Sequence, residues 1–361
     1  MNSPFAKSEG TVPAQAPIRV LVVDDSAFVR FTITKHLAEK SDIQVVGAAR
    51  DGVEALELIE KYQPDVITMD VEMPRLDGLS TLKRIMESKP RPVIMLSSLT
   101  SEGAVETIQA LTIGAVDFTT KPENKANISQ VMDEVANKIR RAAKARVRAG
   151  AASSLPVPKP ILSSEKKPIR TLRSSDRVVL IGSSTGGPQA LNALVPTLRN
   201  DLPAAFVIVQ HMPAGFTHSL AERLDALSKL KVKEAHPGDK LQVGQVLMAP
   251  GGFHMLLDDK NEVVLNQNPT VHGVRPAVDV TLTSLAQKFG SSMVVSILTG
   301  MGSDGTNGCA LVHQAGGYVI AQDEASSVVW GMPRSVVESK AADEVVSLGM
   351  MGKAIERAVE R

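Results

Sequence analysis

Short apolar runs, each followed by a segment with helical spacing, organise the first third of the chain. Ile18–Val23, Val45–Ala49, Val66–Met69, Val93–Leu96 and Val116–Thr119 read as strands. Ser26–Ala38, Gly52–Tyr62, Gly78–Ser88, Ser101–Ile113 and Asn127–Arg141 read as the helices that follow them. This repeated alternation predicts a doubly wound parallel sheet, (βα)5. It resumes at Arg177. Val178–Ile181, Ala204–Gln210, Met293–Leu298 and Gly317–Ala321 are further buried-strand runs. Helical patterns open at Pro188 and cover Asp279–Phe289 and Pro333–Ser339. Between His236 and Asn268, turn signals separate short strands, which predicts an antiparallel flap or edge extension. The expected fold class is α/β: an N-terminal (βα)5 domain linked to a C-terminal parallel-sheet domain with an antiparallel extension.

Two stretches lack such periodicity. Residues 1–17 hold no apolar core of a signal peptide and read as a disordered tail. Ala149–Ser175 contains Pro156, Pro158, Pro160 and Pro168 among serines and lysines and reads as a linker. Asn137–Arg148, rich in Lys, Arg and Ala, could extend the preceding helix into solvent. The chain therefore divides into 18–141, a linker at 142–175, and 176–361.

Composition narrows the function classes. A length of 361 residues is enough for two or three domains, each with its own core. Formal net charge is +1, which argues against nucleic acid or a membrane surface as the main partner. The single cysteine, Cys309, excludes an internal disulfide and fits a reducing compartment. No apolar run reaches spanning length, so no membrane insertion and a cytoplasmic location are expected.

Ligands of open parallel sheets sit at the carboxyl ends of the strands, and those ends carry the chemistry here. Asp24 and Asp25 end the first strand, Asp70 the third and Ser97 the fourth, and Lys121 follows the fifth. Carboxylates meeting at one edge need a cation, and oxygen-only ligands suit Mg²⁺. A hydroxyl and an ammonium nearby would neutralise a phosphoryl group on Asp70. Taken singly, Asp25 or Ser26 could be only a helix cap. VDDS at 23–26, MDVEMPRLDG at 69–78, LSS at 96–98 and KP at 121–122 together resemble the receiver domain of two-component response regulators. The resemblance implies that Asp70 accepts a phosphoryl group from a histidine kinase. It also implies that Asp24, Asp25, Asp70 and the carbonyl of Glu72 hold Mg²⁺, with Ser97 and Lys121 as switch residues.

In the second domain, Gly182-x-Ser184-x-Gly186 sits on a strand-to-helix turn, the form of a nucleophile elbow. A phosphate-cradling turn, or a merely tight one, is the alternative, although Pro188 stands where a phosphate loop wants lysine. His211 and Asp304 each lie just past the end of another apolar strand, so all three could meet at one edge. An imidazole can take the serine proton, and a carboxylate can fix the imidazole's tautomer. The order Ser, His, acid differs from the Ser, acid, His of α/β-hydrolases. Asp304 could instead cap the helix from Thr306. His218, His236, His254, His272 and His313 are competing histidines, each more readily structural or exposed.

IGSSTGG at 181–187, QHMPAGFT at 210–217, APGG at 249–252 and LTGMGSDG at 298–305 resemble the catalytic domain of chemotaxis protein-glutamate methylesterases. Ser183 stands where that family often has alanine, and Ser303 where it often has asparagine. The resemblance implies Ser184 as nucleophile, His211 as base and Asp304 as orienting acid, with Met301 and Thr185 serving the oxyanion and no cofactor for ester hydrolysis. It implies glutamyl methyl esters of chemoreceptors as substrate, deamidation of particular receptor glutamines, and a chemotaxis histidine kinase as phosphodonor. Two alternatives remain at this point: a receiver controlling a non-enzymatic protein-binding output, or a hydrolase of a small-molecule ester.

Overall fold

The computed structural model describes residues 16–98, 100–121, 128–147 and 166–361. Most of the expected N-terminal tail, Pro122 and linker residues 148–165 lie outside them.

The first unit alternates β1 (Ile18–Val23), α1 (Ala27–Ala38), β2 (Ile43–Ala49), α2 (Gly52–Tyr62), β3 (Val66–Asp70), α3 (Gly78–Ser88), β4 (Val93–Ser97), α4 (Ser101–Ile113), β5 (Asp117–Thr120) and α5 (Ile128–Ala142). Its strands form one parallel sheet in the order β2-β1-β3-β4-β5. Every residue of β3 and β4 is buried, which is why both read as continuous apolar runs. Helix starts follow side-chain caps: Ser26 accepts from Val29 N, Asp51 from Val53 N and Glu54 N, and Asp77 from Ser80 N. The second strand begins at Ile43 rather than Val45, because Ile43 and the exposed Gln44 also pair with β1.

The second unit is built from β6 (Arg170–Thr171), β7 (Arg177–Ser183), α6 (Gly187–Leu194), β8 (Ala204–Gln210), α7 (Phe216–Leu227), β9 (Lys231–Glu234), β10 (Gln242–Val243), β11 (Gln245–Met248), β12 (His254–Leu257), β13 (Val263–Asn266), α8 (Val278–Phe289), β14 (Met293–Ile297), α9 (Thr306–Gln314), β15 (Tyr318–Gln322), α10 (Met332–Glu338), β16 (Glu344–Val346) and α11 (Leu348–Val359). Its main sheet is parallel, in the order β16-β15-β14-β7-β8-β11-β9. Side chains of β7 alternate between two layers. Val179 and Ile181 pack with Phe206, Leu191 of α6, Leu224 of α7 and Ile355 of α11. Val178 and Leu180 pack with Leu282 of α8, Val312 of α9 and Val336 of α10.

The antiparallel extension is smaller than the turn pattern suggests. β12 and β13 form the expected hairpin, but β11 is a parallel strand of the main sheet between β8 and β9. Gly244, with φ +83, turns the chain from β10, which pairs antiparallel with β6, straight into β11. β6 falls within the stretch read as linker. Arg170 there makes two bonds to the Asp176 carboxylate, at 2.6 and 2.8 Å.

Candidate active site

β7, β8 and β14 are parallel, with β7 between the other two, so their carboxyl ends meet at one edge. After β7 the chain turns through Ser184 and Thr185 to Gly186, whose φ of +76 begins α6. A Cβ on Gly186 would lie 2.6 Å from Val328, so glycine is required there on both counts. The turn is tied to its neighbours by Ser184 N→Thr299 O at 3.1 Å and His211 N→Ser183 O at 3.1 Å.

His211 Nε2 lies 2.7 Å from Asp304 Oδ2. A carboxylate only accepts, so Nε2 carries the proton and Nδ1 is left as the acceptor of a neutral ring. Asp304, 1% exposed, also accepts Val278 N at 2.6 Å and Asp279 N at 2.9 Å. Those N–H groups open α8, which has no side-chain cap of its own. The alternative that Asp304 caps the helix after it is not realised. The N-cap of α9 is Gly305, and Asp279 takes Gly308 N of α9 at 2.7 Å. The two aspartates thus cap each other's helices. Burial works to raise the Asp304 carboxyl, but the His211 bond and charge and the two α8 N–H groups outweigh it and hold it below the ordinary range. Asp304 is therefore ionised throughout the neutral range.

No hydrogen bond joins Ser184 Oγ to His211 among the described residues, a looseness common in resting active sites. The backbone N–H groups of Thr185 and Met301 donate to no protein acceptor among them. Of the competing histidines, His272 faces Asp279 at 3.0 Å and stands beside Asp304, ligand atoms of the three lying within 4.8 Å of one another, while His254 faces Pro269 O, His218 Glu222, His236 Asp239 and His313 Asp343. Cys309 is buried in the core, where its thiol is pushed well above the ordinary value.

In the first unit, ligand oxygens of Asp24, Asp25 and Asp70 lie within 4.8 Å of one another. Lys121 Nζ sits 2.6 Å from Asp70 and 3.1 Å from Asp24. Burial pushes the Asp70 carboxyl up to about 6, with Asp24 adding to the rise and Lys121 opposing it. Glu72 is exposed on the loop after β3. Ser97 Oγ is engaged with α4, 3.1 Å from Gly103 O and 2.7 Å from Thr107 Oγ1.

The two units meet beside the Ser184 turn. Thr185 Oγ1 donates to Asp117 Oδ2 of β5 at 2.8 Å, and Gly186 N to Val116 O at 3.2 Å. The rings of Phe118 and Phe216 lie 4.4 Å apart between centroids, and α4 packs on α6 and α7. Ser184 is only 8% exposed in this arrangement. The sequence patterns passed over Asp117 and Asp279. Asp279 carried one signal, an acidic residue in the first turn of a helix without a capping side chain.

Both units match known protein families. Residues 179–355 match the family model described as CheB methylesterase, and residues 20–133 that of the response regulator receiver domain. A protein-glutamate methylesterase/protein-glutamine glutaminase of Symbiobacterium thermophilum is 51% identical over 360 residues, covering 96% of this chain and 98% of that one. One from Thermotoga maritima is 47% identical over 338 residues, covering 91% and 95%. The crystal structure of the Thermotoga maritima CheB methylesterase catalytic domain, 45% identical, covers 50% of this chain and 98% of its own, with a TM-score of 0.49. By identity sustained across both units, this chain belongs to the protein-glutamate methylesterase/protein-glutamine glutaminase family, a receiver domain joined to a CheB methylesterase domain.

Proposed function

We propose that the chain hydrolyses glutamyl methyl esters, and deamidates particular glutamines, on chemoreceptors, with its rate set by phosphorylation of Asp70. The supporting observation is the His211–Asp304 pair at 2.7 Å, whose carboxylate caps α8, at the sheet edge that also carries Ser184. Ser184 Oγ attacks the ester carbonyl, and His211 Nδ1 takes its proton while Asp304 supports the imidazolium. The N–H groups of Met301 and Thr185 receive the oxyanion. Collapse passes the proton to the leaving oxygen as methanol and leaves a glutamyl ester on Ser184. Water, deprotonated by the same ring, then releases glutamate. With glutamine the leaving group is ammonia. Tandem mass spectrometry of receptor cytoplasmic fragments before and after incubation tests this: methyl loss at glutamyl positions is expected. Hydrolysis of small esters with intact receptor methylation would refute it.

In the receiver, Asp24, Asp25 and Asp70 present oxygen donors within 4.8 Å, opposed by one ammonium, and that excess of negative charge fits Mg²⁺. These three and the Glu72 carbonyl would hold the ion, which when bound offsets charge on phosphoryl oxygens. Asp70 is the nucleophile toward a histidine kinase or a small phosphodonor, Lys121 pairs with the new charge, and Ser97 exchanges its α4 contacts for it. The resting receiver covers the esterase edge through Asp117, Phe118 and α4. Asp70→Asn should abolish labelling by small phosphodonors, as should EDTA with the wild type; a labelled band surviving either would refute the assignment.

A further inference from the structure

We propose that Gln210 is a positioning residue, one that holds the turn bearing Ser184 and the loop bearing His211 at a fixed separation; this rests on the hydrolase proposed above. Gln210 is the last residue of β8, 2% exposed, and stands in register beside Ser183 of β7. Its Nε2 donates to Ser184 O at 3.0 Å and to His211 O at 3.0 Å. Its Oε1 accepts from Ser183 Oγ at 2.7 Å. The orientation of the amide is forced. Two carbonyl oxygens can only accept, so they must face the NH₂, which leaves the oxygen for the hydroxyl. One side chain thus spends both its donors on the carbonyls of the two residues that must react together.

A second observation comes from the turn itself. A Cβ on Gly187 would lie 2.0 Å from Gln210 Oε1 and 2.9 Å from its Cδ. The last glycine of the turn is therefore the space in which the amide sits. Without the amide, the carbonyls of Ser184 and His211 each lose a donor, and His211 N→Ser183 O remains between the two loops. Ser184 and His211 belong to different loops, so the separation of nucleophile and base depends on that tie. A displacement of about 1 Å at reacting groups costs on the order of 10²-fold in rate. Gln210 acts only through the placement of the two residues it holds.

The test measures kcat and KM for methanol release from methylated receptor membranes, using the full chain. Gln210→Met keeps the side-chain length and removes the amide. Gly187→Ala keeps the amide and drives it from its place. Both should lower kcat by on the order of 10²-fold with KM nearly unchanged, in proteins that still melt cooperatively. Ser183→Ala, which leaves both Nε2 bonds, should lose far less. A role in stability alone would lower the melting temperature and leave kcat per folded enzyme unmoved. Folded Gln210→Met with wild-type kcat would overturn the positioning role. Should that variant fail to fold, Gly187→Ala with wild-type kcat would overturn it equally. An inactive wild type would instead sink the hydrolase reading on which the proposal rests.

Discussion

Ser184→Ala should lower methanol release by on the order of 10⁴-fold or more while leaving the fold intact. The loss is large because the two neighbouring hydroxyls are engaged in the resting enzyme. Thr185 Oγ1 is bonded to Asp117, and Ser183 Oγ to Gln210. The fold should survive because Ser184 Oγ makes no hydrogen bond among the described residues, and the turn is held by backbone bonds and by Gly186. Circular dichroism and thermal melting of the variant should match the wild type. Folded Ser184→Ala releasing methanol at the wild-type rate would end the assignment of the nucleophile.

Asp304→Asn should be nearly as damaging, with a loss of about 10³–10⁴-fold, by a different route. An asparagine amide facing His211 Nε2 donates rather than accepts. The ring must then carry its proton on Nδ1, the nitrogen needed to accept from Ser184. If the amide turns over to preserve the acceptor, its NH₂ is driven against the N–H of Asp279, which opens α8. Either orientation sets donor against donor in a buried site, so stability falls with activity. In the wild type the carboxyl lies below its ordinary range, and the stabilisation from this pairing is fully present above the unfolded carboxyl value, about 3.9. It is lost only as pH falls through the lower folded value. Asp304 itself therefore contributes no acidic limb to activity near neutrality. Folded Asp304→Asn with wild-type methanol release and an unchanged melting temperature would contradict this mechanism.

Much of the fold was legible because parallel strands buried on both faces are continuous apolar runs. β3, β4, β7 and β8 were readable for that reason. The edge strands of the second unit's main sheet were not. β9 is KVKE, with its charged residues at the rim, and β16 is a three-residue strand. β11 was hidden because the turn at Gly244 separates it from β10 by one residue. The site was readable to the extent that strand ends share an edge, which brings Ser184, His211 and Asp304 into one neighbourhood. Its finer structure was not, because it consists of contacts between elements distant in the chain. Asp304 caps a helix that precedes it, Asp279 caps one that follows, and Thr185 finds its partner in the other unit. A capping aspartate and an orienting one look alike in a sequence; the partners distinguish them, and Asp304 is both.

The most direct measurement is methanol release from methyl-labelled receptor membranes by the full-length protein in Mg²⁺, with and without a small phosphodonor. The wild type should release methanol slowly at rest and faster with the phosphodonor. Asp70→Asn should stay at the resting rate in both conditions, and Ser184→Ala should release almost none. Wild-type release that the phosphodonor leaves unchanged, or release that persists in Ser184→Ala, would contradict a receiver-gated serine esterase.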